Sequence, residues 1–183
     1  MLIVTGATSR TGQCLLKAWG EGGRKAIAVF KKGEYGNLAI KPVGLMLSSD
    51  LPLWLSGTYE APWLDKDIEG IVHLGTGDAE YDKSLWSWCT EKGKAFVCVS
   101  QGDELEAWAN SQEKKPPLCV MLKWSQDDAM AGGLVGSICR NLDIFSSLKE
   151  AVVKADREAS QSVERLEKSM AVSPESMAKP MTM

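Results

Sequence analysis

The sequence predicts an α/β fold, a parallel sheet with helices on both faces, followed by a helical C-terminal portion. Three observations predict it. Short apolar runs alternate with segments of helical period across residues 1–124, and that alternation favours parallel strands joined by helical crossovers. The chain opens as strand, glycine-containing turn, helix and strand, which is one βαβ unit. Beyond residue 124, apolar residues recur at spacings of three and four, the mark of an amphipathic helix. With 183 residues, 44% of them hydrophobic, the chain can bury one substantial core.

Taken in order, LIVT at 2–5 is the first apolar run. TGQCLLKAWGEGG at 11–23 carries Cys14, Leu15, Ala18 and Trp19 at helical spacing and stops at its glycines. KAIAVF at 25–30 is the second strand. VGLML (43–47) and LPLWLSG (51–57) are apolar but interrupted by Gly and Pro, and take no firm assignment. IVHL (71–74) is a buried strand, 79–93 a helix with Leu85, Trp88 and Cys89 on one side, and KAFVCVS (94–100) a further strand. DELEAWANSQEKK is a short polar helix or a loop, and PLCVMLKW (117–124) is a strand with its prolines at the edge. From SQDDAMAGGLVGSICRNL the pattern turns helical, with Asp127 or Ser125 as its cap, and in the last helix Phe145, Leu148, Val152, Ala155, Ala159, Val163, Leu166 and Met170 form one stripe. The expected organisation is a nucleotide-binding domain at 1–124, a helical dimerisation region at 125–172 and a disordered tail at 173–183.

Composition narrows the function classes. Charged residues make up 25% of the chain and the formal net charge is -3, which argues against a broad nucleic-acid-binding face. No run approaches the length of a membrane span and no charged leader precedes the first strand. Cys14, Cys89, Cys98, Cys119 and Cys139 are scattered without a CxxC, as in reduced cytosolic proteins. A cytoplasmic location is therefore expected. The seven tryptophans suit core and interface packing, although some could line a flat ligand.

In a parallel sheet, ligands sit beyond the carboxyl ends of the strands. GATSRTG, GTGDAE, SQGDE and WSQDD occupy that position. A dinucleotide turn needs glycine where the chain turns tightly and where phosphate meets backbone amides at a helix start. Gly6 and Gly12 fit the outer positions of such a Rossmann-like turn, Ser9 stands where a more open loop carries Gly, and Thr5, Thr8, Ser9 and Thr11 offer hydroxyls. The alternative is a tight βα connection with no ligand. The second strand ends in Phe30-Lys31-Lys32, with no acid there to hold a ribose diol. Arg10 and the lysines could instead meet a 2'-phosphate, so NAD and NADP both stay open as cofactors. A Walker A loop is excluded because no GK[ST] follows the glycines.

Other groups carry weaker signals. Short-chain dehydrogenases share TGATSRTG-like loops, but Tyr35, Tyr59 and Tyr81 all lack a lysine four residues on. His73, the single histidine, reads more readily as a hydrogen-bonded core residue than as a ligand for a macrocycle or metal. No spacing announces a protein metal site, and no GxSxG supports a hydrolase triad. Asp127 and Asp128 are either caps or substrate contacts, and Trp124 before them either stacks on a planar ring or closes the sheet.

The segment YEAPWLDKDIEGIVHLGTGDAEYDKSLWSWCTEKGKAFVCVS, with PPLCVMLKWSQDDAM and the C-terminal helix after it, resembles the precorrin-2 dehydrogenases that also act as sirohydrochlorin ferrochelatases. The likeness is one of order and spacing over roughly residues 1–170. It implies NAD(P)-dependent oxidation of precorrin-2 or a related tetrapyrrole in siroheme synthesis, by a homodimer, with dehydrogenation favoured over chelation. The family's dinucleotide turn maps onto Gly6 through Gly12, including Thr8, Ser9 and Arg10. Its next cofactor loop maps onto Thr76, Gly77 and Asp78. Its aspartate falls at Ser100, with Asp103 two or three residues on, and its serine falls at Asp128. Ser100 and Asp128 thus depart from the family pattern. Two alternatives follow: a catalytically reduced nucleotide- or tetrapyrrole-binding protein on the same scaffold, or an atypical short-chain reductase.

Overall fold

A computed structural model describes residues 1–34, 44–59, 68–75, 78–124 and 128–171, without the side chains of 128–132 and 166–171. Six parallel strands form one sheet in the order β3-β2-β1-β4-β5-β6. They are β1 (Leu2–Thr5), β2 (Ala26–Phe30), β3 (Gly44–Leu47), β4 (Gly70–Leu74), β5 (Ala95–Ser100) and β6 (Cys119–Lys123). The described helices are α1 (Arg10–Glu21), α2 (Leu51–Leu55), α3 (Ala79–Lys92), α4 (Glu104–Asn110) and α5 (Asp128–Ala171). This strand order is that of the Rossmann fold. The predicted α/β class with its C-terminal helix is what the chain adopts.

The four central strands explain why sequence pattern found them. Every residue of β1, β2, β4 and β5 is buried, so each reads as a continuous apolar run and not as an alternation. Ile3, Ile71 and Phe96 are wholly buried along the middle of the sheet; burying each such side chain contributes about 1.5–3 kcal/mol.

The two weak assignments resolve at the edge. VGLML supplies β3, which among the described strands pairs with β2 alone and leaves Leu45 45% exposed. LPLWL is α2, a helix and not a broken strand. Pro52 sits in its first turn, where the missing N–H costs nothing and the fixed φ suits the helix.

Caps set the remaining boundaries. The Ser9 hydroxyl accepts from the Gly12 amide and caps α1. The Asp78 carboxylate accepts from the Glu80 and Tyr81 amides and caps α3, which Gly93 closes in the left-handed conformation. α3 packs against α2 and α4 and buries Trp86 and Trp88 together, so neither is left for an interface.

The chain divides into a compact unit from Met1 to Leu142 and a second from Asp143 to Met183. The first extends past residue 124 because Val135, Ile138 and Leu142 on α5 are buried. In the second, the described residues continue α5 as a helix whose Ile144, Leu148, Val152, Val153 and Val163 are exposed. The cap candidates Ser125 and Asp127 and the tail from Val172 lie outside the described residues. No described helix is long and apolar enough to cross a membrane.

Candidate functional site

The strand order reverses direction at β1, which lies between β2 and β4. Parallel α/β sheets open a crevice at such a point, outside the carboxyl ends of the strands. Here that crevice is a cavity of about 850 Å³. Thr5, Gly6, Thr8 and Ser9 line it from β1 and its loop, Lys31 and Glu34 from the end of β2, Ser48 and Ser49 from the end of β3. His73, Leu74, Gly75, Asp78, Tyr81 and Asp82 complete it from β4 and α3.

The two outer glycines of the loop are required by geometry. Gly6 has φ +62°, and a Cβ there would collide with the Leu74 carbonyl oxygen. A Cβ on Gly12 would fall 2.5 Å from the Gly6 carbonyl oxygen. The first permits the tight turn and the second the close packing of α1 on the loop, the roles expected of a dinucleotide fingerprint. Ser9, at the middle position, donates to the Gly6 carbonyl at 2.7 Å and accepts from the Gly12 amide at 3.1 Å. It therefore occupies an amide that a phosphate would otherwise meet.

Glu34 is the residue that the sequence reading missed. Lys31-Lys32-Gly33-Glu34 is a turn closed by the Glu34 amide on the Lys31 carbonyl at 3.1 Å, with Gly33 at φ +92°. Glycine at the third position is the signature of such a turn. The turn folds Glu34 back to the end of β2, where its Oε2 accepts from Thr8 Oγ1 at 2.9 Å and from the Lys31 amide at 3.2 Å. An acid does stand beside the end of β2, displaced in sequence by the turn. The signal was present in Lys-Lys-Gly-Glu, as the glycine needed for the reversal.

The floor of the cavity holds a buried polar chain. Thr5, His73 and Asp82 are 3%, 2% and 4% exposed. Thr5 Oγ1 lies 2.6 Å from His73 Nδ1, and His73 Nε2 lies 2.7 Å from Asp82 Oδ1. The Leu74 amide donates to Thr5 Oγ1 at 3.2 Å. His73 is thus a hydrogen-bonded core histidine that also lines the cavity. Beside it, the Tyr81 ring centroid lies 5.9 Å away. Burial, then the nearby Asp82 charge, pushes the Tyr81 phenol up to about 12. Burial, again followed by Asp82, pushes the Cys98 thiol up to about 12.

The other predicted site residues are less concentrated. Arg10 is exposed at the first turn of α1 and does not line the cavity, and Gly12 is buried beneath the loop. Lys31 and Asp78 line the cavity. Ser100 donates to the Gly102 carbonyl at 2.9 Å. It lines a second cavity of about 330 Å³ with Asp82, Lys83, Leu105 and Trp108. Asp103 is exposed and ion-paired with Lys123. Thr76, Gly77 and the side chain of Asp128 lie outside the described residues. Trp124, 39% exposed, lines a small cavity with Ser9, Gly75 and Gln101 beyond β4 and β5. Among the described residues, no group of His, Cys, Asp or Glu could hold a metal ion.

No protein-family model and no curated protein matches the sequence. Among solved structures, the chain is similar to TunA, an NAD-dependent NDP-hexosamine 5,6-dehydratase of tunicamycin biosynthesis. That match has 16% identity and a TM-score of 0.37, and covers 64% of this chain and 43% of that one. It is also similar to a short-chain dehydrogenase/reductase from Vibrio parahaemolyticus, at 15% identity and a TM-score of 0.36, over 78% of this chain and 73% of that one. The chain therefore spans less than half the length of the first.

Proposed function

We propose that this chain binds a nicotinamide dinucleotide across the β1–β4 crevice, NAD in preference to NADP, and that it serves an oxidoreductase reaction. The observation that carries the reading is the cavity at the switch point, where the Gly6–Gly12 turn and the Glu34 carboxylate meet. The bonds from Thr8 and Lys31 both fall on Glu34 Oε2, which leaves Oε1 for a ribose hydroxyl. A 2'-phosphate would face the same carboxylate at close range, and like charges repel. The Lys31–Lys32 pair points the other way, but Glu34 is the group fixed in place. Loop hydroxyls and amides would hold the pyrophosphate, and the exposed Trp124 face would lie near a ring placed beyond β4 and β5. The nicotinamide supplies hydride acceptance or donation; the protein binds, orients and shields it.

The decisive measurement is calorimetric titration of the full chain with NAD and NADP. Saturable NAD binding that Glu34→Ala weakens about tenfold is expected, on the scale of about 1.5–3 kcal/mol for hydrogen bonds to charged groups. No saturable binding of either nucleotide overturns the reading.

Oxidation of precorrin-2 is the finer form of this proposal. In that form the carboxylate comes from Asp82 and not from Asp103, because Asp82 borders both cavities while Asp103 is held by Lys123. Precorrin-2 and NAD incubated with the protein should raise absorbance near 340 nm. Absence of turnover with NAD bound favours the catalytically reduced binding protein. Pairing of two copies along Ile144, Leu148, Val152 and Val163 is the homodimer this reading includes. Leu148→Glu should then lower the sedimentation coefficient.

A further inference from the structure

We propose that Thr5 is a proton-gated hydrogen-bond donor to an anionic group of the ligand, and that His73 is the gate. Binding in the main cavity then takes up one proton. This inference rests on the dinucleotide reading and adds the ionic form in which the site binds.

The bond directions follow from chemistry. An amide N–H only donates, so the Leu74 amide makes Thr5 Oγ1 an acceptor at 3.2 Å. The Asp82 carboxylate only accepts, so His73 Nε2 carries a hydrogen toward it at 2.7 Å. In a neutral imidazole, Nδ1 is then bare. The Thr5 hydroxyl must donate to it across 2.6 Å. In this state the Thr5 hydrogen is withheld from the cavity that Thr5 lines.

A second proton on the ring can go only to Nδ1. The 2.6 Å contact then reverses: Nδ1–H donates, Thr5 Oγ1 accepts from both Nδ1 and Leu74, and the hydroxyl hydrogen is released. A phosphate oxygen in the cavity meets both new demands. It accepts the freed hydrogen, and its charge, with that of Asp82, offsets the imidazolium. All three residues are almost wholly buried, where charges interact far more strongly than in water. A neutral ligand gains nothing from the reversal.

The surroundings of the ring leave few competing protons. Asp82 and Tyr81 approach from α3, Thr5 from β1, and Cys98 stands in register on β5. Tyr81 and Cys98 are both pushed up to about 12 and stay neutral near pH 7. Farther along the cavity, Glu34, Asp78 and Lys31 are the remaining charged groups among the described residues.

The chain has one histidine, so its ring nitrogens give unambiguous NMR signals. Using ¹⁵N-labelled full chain at pH 7.5, saturating NAD should convert the single-proton pattern of the ring to the doubly protonated one. Calorimetry in two buffers of different ionisation enthalpy should show uptake approaching one proton per NAD. Affinity should fall with rising pH, at most about tenfold per unit. Thr5→Val should bind several-fold more weakly and without proton uptake, and Thr5→Ser should restore both. NAD binding with unchanged histidine signals and no buffer dependence overturns the proposal and leaves the dinucleotide reading standing. A Thr5→Val protein that binds and takes up the proton like the parent overturns the donor role. No saturable binding overturns both readings.

Discussion

The 3.1 Å bond between the Gly12 amide and the Ser9 hydroxyl puts helix capping and ligand binding in competition for one donor. Ser9→Gly removes the competitor. Glycine is nearly as good a cap, so the stability loss should be only a few tenths of a kcal/mol. NAD affinity should rise several-fold by titration, and an unchanged affinity would mean that phosphate does not use this amide. Tyr81 poses the opposite case. Its hydroxyl is buried with no hydrogen-bond partner among the described residues, and such a group costs about 1–3 kcal/mol. Tyr81→Phe should leave the urea midpoint unchanged or raise it, where most core substitutions lower it. Tyr81 and Cys98 also make an alkaline prediction. Their folded values lie near 12, above ordinary values of 10.0 and 9.0. The unfolded chain therefore loses these protons first. The stability they contribute is complete below about pH 9 and is lost as pH rises toward 12. Cys98→Ala should flatten that decline in pH-dependent unfolding.

At the scale of elements, the turn between β1 and α1 is the least forgiving. Gly6→Ala places a methyl against the Leu74 carbonyl of the neighbouring strand, at a φ that L-residues avoid. A loss of at least about 2 kcal/mol in chemical denaturation is expected. The two parts of α5 should differ as sharply. Leu142→Ala, at 3% exposed, should cost about 2–5 kcal/mol. Leu148→Ala, at 61% exposed, should stay within about 0.5 kcal/mol in dilute monomer. Sequence period marks both parts as helical, because it records which residues align on a face and not whether anything covers that face. The same blindness explains α2. Its proline looks like an interruption until the helix start is known, after which it fits the first turn.

At the scale of the whole molecule, residues far apart in sequence become one site because the sheet places β1 between β2 and β4. Thr5 and His73 are 68 positions apart, and His73 and Asp82 nine, yet they form one hydrogen-bonded chain. No local pattern marks such a cluster. Gly6 and Gly12 were legible because turn geometry is a local requirement written in residue type, whereas the capping role of Ser9 appeared only in the structure. The continuous apolar runs likewise determined four buried strands and hence the α/β class. Tertiary structure alone decided the strand order, the return of Glu34 to the end of β2, the burial of Asp82 beside His73 and the diversion of Asp103 to Lys123. Local sequence fixes backbone conformation and burial preference, whereas these contacts depend on which strands become neighbours, and that is settled only when the whole core packs.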